Sequence, residues 1–215
     1  MILHLLSNFG SMTASRMADR WQKALLLREL LRFHIRGHGQ AWRIFTHLTP
    51  FERLLLYRFG SRRSPGSTFL EVGSYLGASA CFLASAADEI GGGAKVHCVD
   101  TWHNDGMSEG DRDTWEQFNS NTRRYRALII PHRGKSLDIA PSFCERIDLL
   151  FLDGDHAYDA CQADVRAWLP LLKQGGLVLL HDYGWSEGVR KVVHEHLSPF
   201  ARKEGCLPNL YWAWF

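Results

Sequence analysis

Phe69-Leu70-Glu71-Val72-Gly73-Ser74-Tyr75-Leu76-Gly77 joins an apolar run to an acid and two glycines four residues apart. Thr68 to Val72 reads as a strand, Gly73 and Gly77 allow a tight turn and close backbone approach, and Ser79 to Ile90 resumes at helical spacing. About twenty residues past the turn, the apolar run Val96-His97-Cys98-Val99 stops at Asp100. A carboxylate at that strand tip is placed to accept both hydroxyls of a ribose, so the order strand, glycine turn, helix, strand, acid predicts a nucleoside site.

The spacing also selects among nucleoside ligands. A dinucleotide fingerprint reads G-x-G-x-x-G, its second glycine making room for a pyrophosphate; here that position is Tyr75. A bulky residue there disfavours NAD, and Glu71 would repel phosphate while suiting an ammonium group. The expected ligand is zwitterionic, ribose-bearing and phosphate-free, a description that S-adenosylmethionine meets. Glu71-x-Gly73-x-x-x-Gly77 resembles the first motif of class I S-adenosylmethionine-dependent methyltransferases.

Strand and helix keep alternating beyond Asp100, which predicts a mainly parallel sheet of six or seven strands flanked by helices. Leu128-Ile129-Ile130 is the third strand. The Gly134-Lys135-Ser136 that follows is no phosphate loop, because that motif would need glycine where Ile129 stands; Ser136 is a candidate contact for adenine. The fourth strand, Ile147 to Leu152, empties into Asp153-Gly154-Asp155-His156, with Asp155 also a candidate cap for the next helix. Gly175-Gly176 turns the chain into a fifth strand, Leu177 to Leu180, ending in His181-Asp182-Tyr183. Two strand tips thus present Asp153, Asp155, His156, His181 and Asp182 where open α/β sheets bind ligands. Trp185 is a candidate pocket wall.

Ile147 to Tyr158 together with Asp164, Trp168, Leu169, Gly175-Gly176 and His181-Asp182-Tyr183 resembles methyltransferase family 24, a class I family related to catechol-type and macrolide-sugar O-methyltransferases. The resemblance implies a Rossmann-like sheet. It implies S-adenosylmethionine held by Glu71, Gly73, Gly77, Ser79 and Asp100, to which Ser74 and Tyr75 of the turn, Ser136 and Asp153 are added as candidates. It also implies an acceptor near Asp153 to His156 and His181 to Tyr183. Metal-dependent relatives place Asp-Asp or Asp-Asn after the fifth strand, whereas this chain has His181-Asp182.

Methyl transfer from a sulfonium needs alignment of the partners and a nucleophilic acceptor. A hydroxyl acceptor must lose its proton, and His156 or His181, oriented by Asp155 or Asp182, is a candidate base, with Asp153 beside them. The alternative is a divalent cation on Asp153, His181 and Asp182. Oxygen ligands suit Mg²⁺, and His181 shifts the preference towards a transition metal. The expected function is O-methylation of a small hydroxylated acceptor: a sugar, a phenol or another natural product. A catalytically silent S-adenosylmethionine-binding regulator and, behind it, an NAD-dependent enzyme are the alternatives.

The chain has 215 residues, 46% of them hydrophobic, enough for one α/β domain with a small appendage. Residues 1–63 carry eleven Lys or Arg against Asp19, Glu29 and Glu52, a charge of +8 within a total of +2. They are read as an amino-terminal helical lid or dimerisation segment, with residues 64–215 as the cofactor-binding domain. Met17, Trp21, Ala24, Leu27, Leu31 and Ile35 recur at helical steps, and a second helix is expected from Thr49 or Pro50. The basic residues match no nucleic-acid module, so a small-molecule acceptor and no nucleic-acid partner are expected. Aromatic density at Tyr211 to Phe215 suggests burial or a homodimer contact. Five scattered cysteines without C-x-x-C and no apolar run long enough to span a membrane predict a reduced, cytoplasmic protein.

Overall fold

A computed structural model describes residues 26–103 and 110–215. The chain divides into two compact units between Gln40 and Ala41. In the first, residues 26–35 are helical (α1). Glu29 and Phe33 lie on its buried side, whereas Leu27, Leu31 and Ile35, the described part of the apolar stripe, are exposed. Met17, Trp21 and Ala24 lie outside the described residues.

The second unit begins with α2 (Pro50–Gly60), which the sequence reading grouped with residues 1–63. Its start follows from local chemistry. Thr49 Oγ1 accepts from the Glu52 N–H at 3.4 Å, Glu52 Oε2 accepts from the Thr49 N–H at 2.7 Å, and Pro50 occupies the first turn, where its missing N–H costs nothing.

Five parallel strands follow: β1 (Thr68–Val72), β2 (Lys95–Asp100), β3 (Ile129–Arg133), β4 (Ile147–Leu152) and β5 (Leu172–His181). They alternate with α3 (Ala78–Ile90), α4 (Trp115–Thr122), α5 (Ser136–Ile139) and α6 (Tyr158–Trp168). After α7 (Glu187–Val192), β6 (Lys203–Cys206) and β7 (Leu210–Trp214) add antiparallel. The seven-stranded order is β3-β2-β1-β4-β5-β7-β6, with the tyrosine and tryptophans of β7 paired inside the sheet.

Two boundaries differ from the sequence reading. β5 starts at Leu172, and Gly175-Gly176 forms an irregularity within it, where Ile147 faces Leu172 but Leu149 faces Leu177. β3 runs on through His132 and Arg133 because both pair with β2. α7 ends at Val192 and continues as one π-helical turn, Val193–Leu197.

The strand order reverses at β1 and β4, the switch point where open α/β sheets bind ligands. Leu70, Val72, Leu150, Leu152, Val178 and Leu180 pack on Trp168, Val189 and Val192 on one face. Phe69 lies on the other, close against Gly60 of α2. Side chains alternate along a strand, so Glu71 shares Phe69's face. Among the described residues no helix is long and apolar enough to cross a membrane. Cys81, Cys98 and Cys161 are buried free thiols, while Cys144 and Cys206 are exposed.

Candidate active site

Among the described residues only Tyr75, Trp102 and Asp182 combine a side chain with positive φ, at 45°, 52° and 61°. Each lies within three residues of the end of β1, β2 or β5. Such backbone is strained, and strain of this kind gathers at functional sites.

On the β1–β2 side, Ser74 joins the two predicted acids. Its hydroxyl donates to Glu71 Oε2 at 2.6 Å and its N–H to Asp100 Oδ2 at 2.8 Å. Asp100 Oδ2 also accepts from the Tyr75 N–H, and Oδ1 from the Trp102 N–H at 2.7 Å. The carboxylate expected to be free for ribose therefore holds the glycine turn as well, because three backbone N–H groups, two of them on the positive-φ residues Tyr75 and Trp102, converge on it. Three of its roughly four acceptor sites are used, leaving about one.

Glu71 has no solvent exposure, and its Oε1 has no hydrogen-bond partner among the described residues. Burial pushes the carboxyl up to about 7, opposed by the Ser74 and Ser79 hydroxyls and reinforced by the charge of Asp153. Gly73 has φ 85°, and a Cβ there would collide with the Asp153 carbonyl. Gly77, also at φ 85°, would place a Cβ 2.6 Å from Thr122 Cγ2. Tyr75 turns its ring to the His47 and Phe45 rings, both 6.4 Å away, and its hydroxyl accepts from Arg112 at 3.2 Å. Ser79 is buried in the first turn of α3. Ser136 is elsewhere engaged: its hydroxyl donates to Asp164 at 2.5 Å and accepts from Trp168 Nε1 at 2.8 Å, tying α5 to α6.

On the β4–β5 side, Asp153, His181 and Asp182 bring one ligand atom each to within 4.8 Å of one another. His181 Nδ1 lies 2.9 Å from Asp153 Oδ1 and 3.2 Å from Asp182 Oδ1. Beside them is a cavity of about 10 Å³ lined by Asp153, Asp155, His156, Asp164, His181 and Asp182, room for one water-sized occupant. Burial would push the His181 imidazole down, but Asp153, Asp182 and Glu52 overcome it and hold the ring up to about 12. Asp182 feels burial too, yet His181, Trp185 and Asn209 bring it down to about 2; burial dominates at Asp153 and raises it.

His156 is half exposed, its Nδ1 3.6 Å from Asp182 Oδ2 and its ring edge-on to Trp185 at 4.6 Å. Trp185 is 58% exposed while its Nε1 donates to Asp182 Oδ1 at 2.6 Å. Asp155 Oδ1 accepts from the Ala157 N–H at 2.8 Å, so it caps the entry to α6.

Two residues of the site were not singled out from the sequence. Glu52 Oε2 stands 3.6 Å from His181 Nε2, and Asn209 Nδ2 is 3.2 Å from both His181 Nε2 and Asp182 Oδ1. Glu52 was legible only as the acid of a Thr-x-x-Glu capping box. Asn209 carried no signal.

Among solved structures, the methyltransferase PaMTH1 of Podospora anserina, crystallised with S-adenosylhomocysteine, superposes with a TM-score of 0.64 at 13% identity, covering 96% of this chain and 97% of its own. The O-methyltransferase TomG of Streptomyces achromogenes, involved in tomaymycin synthesis and crystallised with S-adenosylmethionine, gives 0.60 at 19% identity over 78% and 80%. MycE, a methyltransferase of the mycinamycin biosynthetic pathway solved with Mg, S-adenosylhomocysteine and mycinamycin VI, gives 0.53 at 16% identity over 79% of this chain and 50% of its own. These likenesses establish the fold. The family model for a methyltransferase domain, methyltransferase family 24, matches residues 70–183, more than half the chain and every strand tip described above. The chain therefore belongs to methyltransferase family 24 and is a class I S-adenosylmethionine-dependent methyltransferase.

Proposed function

We propose that this methyltransferase acts on a hydroxyl of a small acceptor, with a divalent cation on Asp153, His181 and Asp182. The observation that carries the reading is this trio of two carboxylates and an imidazole around a water-sized cavity, one strand away from the cofactor edge. S-adenosylmethionine supplies an electrophilic methyl on a sulfonium, and Glu71 fits the ligand's ammonium group because Oε1 is a buried carboxylate oxygen with no hydrogen-bond partner. Gly73 keeps the turn against β4, and the remaining acceptor site of Asp100 suits a ribose hydroxyl.

The cation site fits as well. The two N···O separations at His181, 2.9 and 3.2 Å, match the ~3 Å edge of an octahedron with bonds of about 2.1 Å. A divalent cation lowers the pKa of a hydroxyl it binds. His156, on the open side of the trio, is the residue placed to receive the acceptor's proton, and His181 is assigned to ligation. Trp185 offers the acceptor a flat apolar face anchored to Asp182. The exposed Leu27, Leu31 and Ile35 support a homodimer.

Calorimetry with S-adenosylmethionine, then methyl-release assays over phenols and sugars with Mg²⁺, Mn²⁺ or chelator, tests this reading. Turnover that requires a divalent ion is expected. Cofactor binding without transfer to any hydroxyl would leave a silent binder.

Two further outcomes follow from the same geometry. Cationic ligand binding requires ionised Glu71, so S-adenosylmethionine affinity should rise about tenfold per pH unit up to about pH 7 and then level, and Glu71→Gln should bind weakly with a flat profile. Without ligand the sign reverses. A raised carboxyl contributes stability fully present below its ordinary value of 4.5 and lost as pH rises through about 7, so Glu71→Gln should unfold later than wild type at pH 8, by at most about 3 kcal/mol. Trp185→Ala should raise the acceptor KM about tenfold and leave cofactor affinity unchanged; an unaltered KM removes Trp185 from the acceptor site.

A further inference from the structure

Glu52 is 2% exposed, although it belongs to the first turn of a helix whose other first-turn residues, Pro50 and Phe51, are exposed. Its Oε2 accepts from both the N–H and the hydroxyl of Thr49, at 2.7 and 2.8 Å. The same oxygen faces His181 Nε2 at 3.6 Å, across from the Nδ1 edge that meets Asp153 and Asp182. A carboxylate that only completes a capping box can do so from the surface, where its charge is hydrated. Burying it is favourable only where a polar hydrogen lies opposite, and His181 presents that group. Asn209 touches the same nitrogen while bridging to Asp182. The Nε2 edge of the imidazole therefore faces Glu52, a residue far away in sequence, which leaves the Nδ1 edge for the acidic pair.

We propose that Glu52 is a positioning residue: from the amino-terminal turn of α2 it sets the ring of His181 so that Nδ1 is presented, together with Asp153 and Asp182, to a divalent cation. The inference rests on the cation reading above. A capping acid of α2 is thereby part of the acceptor site, and the first turn of that helix and the end of β5 form one unit.

The test uses the full chain and the metal ions alone. Gln in place of Glu52 still caps the helix, because its amide oxygen accepts the Thr49 N–H, but it withdraws the charge from His181. Divalent-ion affinity is measured by Mg²⁺ calorimetry and Mn²⁺ paramagnetic resonance, with S-adenosylhomocysteine affinity and thermal unfolding alongside. Glu52→Gln is expected to bind Mg²⁺ and Mn²⁺ 10- to 100-fold more weakly with cofactor affinity unchanged. Thr49→Ala, which breaks the cap, should unfold earlier by about 2–4 °C and keep its metal affinity. Glu52→Asp, one methylene shorter with the charge retained, should lose several-fold, and it decides the matter if Glu52→Gln does not fold. Wild-type affinity in Glu52→Gln, or in Glu52→Asp where that variant decides, makes Glu52 a cap alone and overturns the proposal, leaving the cation site standing. A wild-type protein that binds neither ion overturns both.

Discussion

Asp153→Asn is expected to lower methyl transfer about 1000-fold at saturating cofactor and acceptor, the largest loss for any single substitution at this site. The effect comes from charge rather than shape. Asn keeps the size and shape of Asp153, whose Oδ1 lies 2.9 Å from His181 Nδ1, but in the proposed site a neutral ligand replaces one of two carboxylates. A divalent cation at the proposed site would stabilise a developing alkoxide by several kcal/mol, and each 1.4 kcal/mol is a factor of ten in rate. Folding should suffer less. Removing one member of a buried ion pair is severe when it strands a charge, but His181 keeps Asp182 at 3.2 Å and Glu52 at 3.6 Å. Methyl release, Mg²⁺ calorimetry and thermal unfolding on one preparation separate these effects. Turnover within tenfold of wild type, unaffected by chelator, would falsify the cation reading.

Gly73→Ala is expected to cost more than about 4 kcal/mol of stability and to abolish measurable cofactor binding. Two penalties add there. A side chain at φ 85° costs about 1–2 kcal/mol, and the new Cβ meets the backbone carbonyl of Asp153, which cannot rotate aside. Nor can the strands part freely, because the Asp153 N–H bonds Val72 O at 2.8 Å and the Gly73 N–H bonds Val99 O at 2.9 Å. Gly175→Ala is the control, with φ 77° and open space around its Cα, so it should cost only the backbone penalty. Urea unfolding of the two variants measures the difference. Equal stabilities would mean that β1 and β4 do not approach as closely as described.

The strands and their order of use were legible because each is a short apolar run bounded by glycine or an acid, and burial of such runs in a parallel sheet depends on little beyond their composition. Glu71, Asp100, Asp153, His156, His181 and Asp182 were legible as candidates for a related reason. Ionisable groups at the ends of buried strands are costly unless they serve a ligand or a partner. In the fold Ser74 bridges Glu71 to Asp100, so each acid has a partner. Ser136 shows where such reasoning stops: position after a strand suggested a ligand contact, while its hydroxyl is spent on Asp164 and Trp168.

Sequence by itself determined the sheet, the glycine turn and the set of polar strand tips, because these follow from local periodicity and from the energetic cost of burying charge. Only the tertiary structure decided how those groups pair. Glu52 and Asn209 reach His181 from opposite ends of the domain, and the carboxylates of Glu52, Asp153 and Asp182 converge on one imidazole ring. Coulomb and hydrogen-bond energies at ~3 Å separations depend on through-space distance, and the spacing of residues along the chain does not encode it.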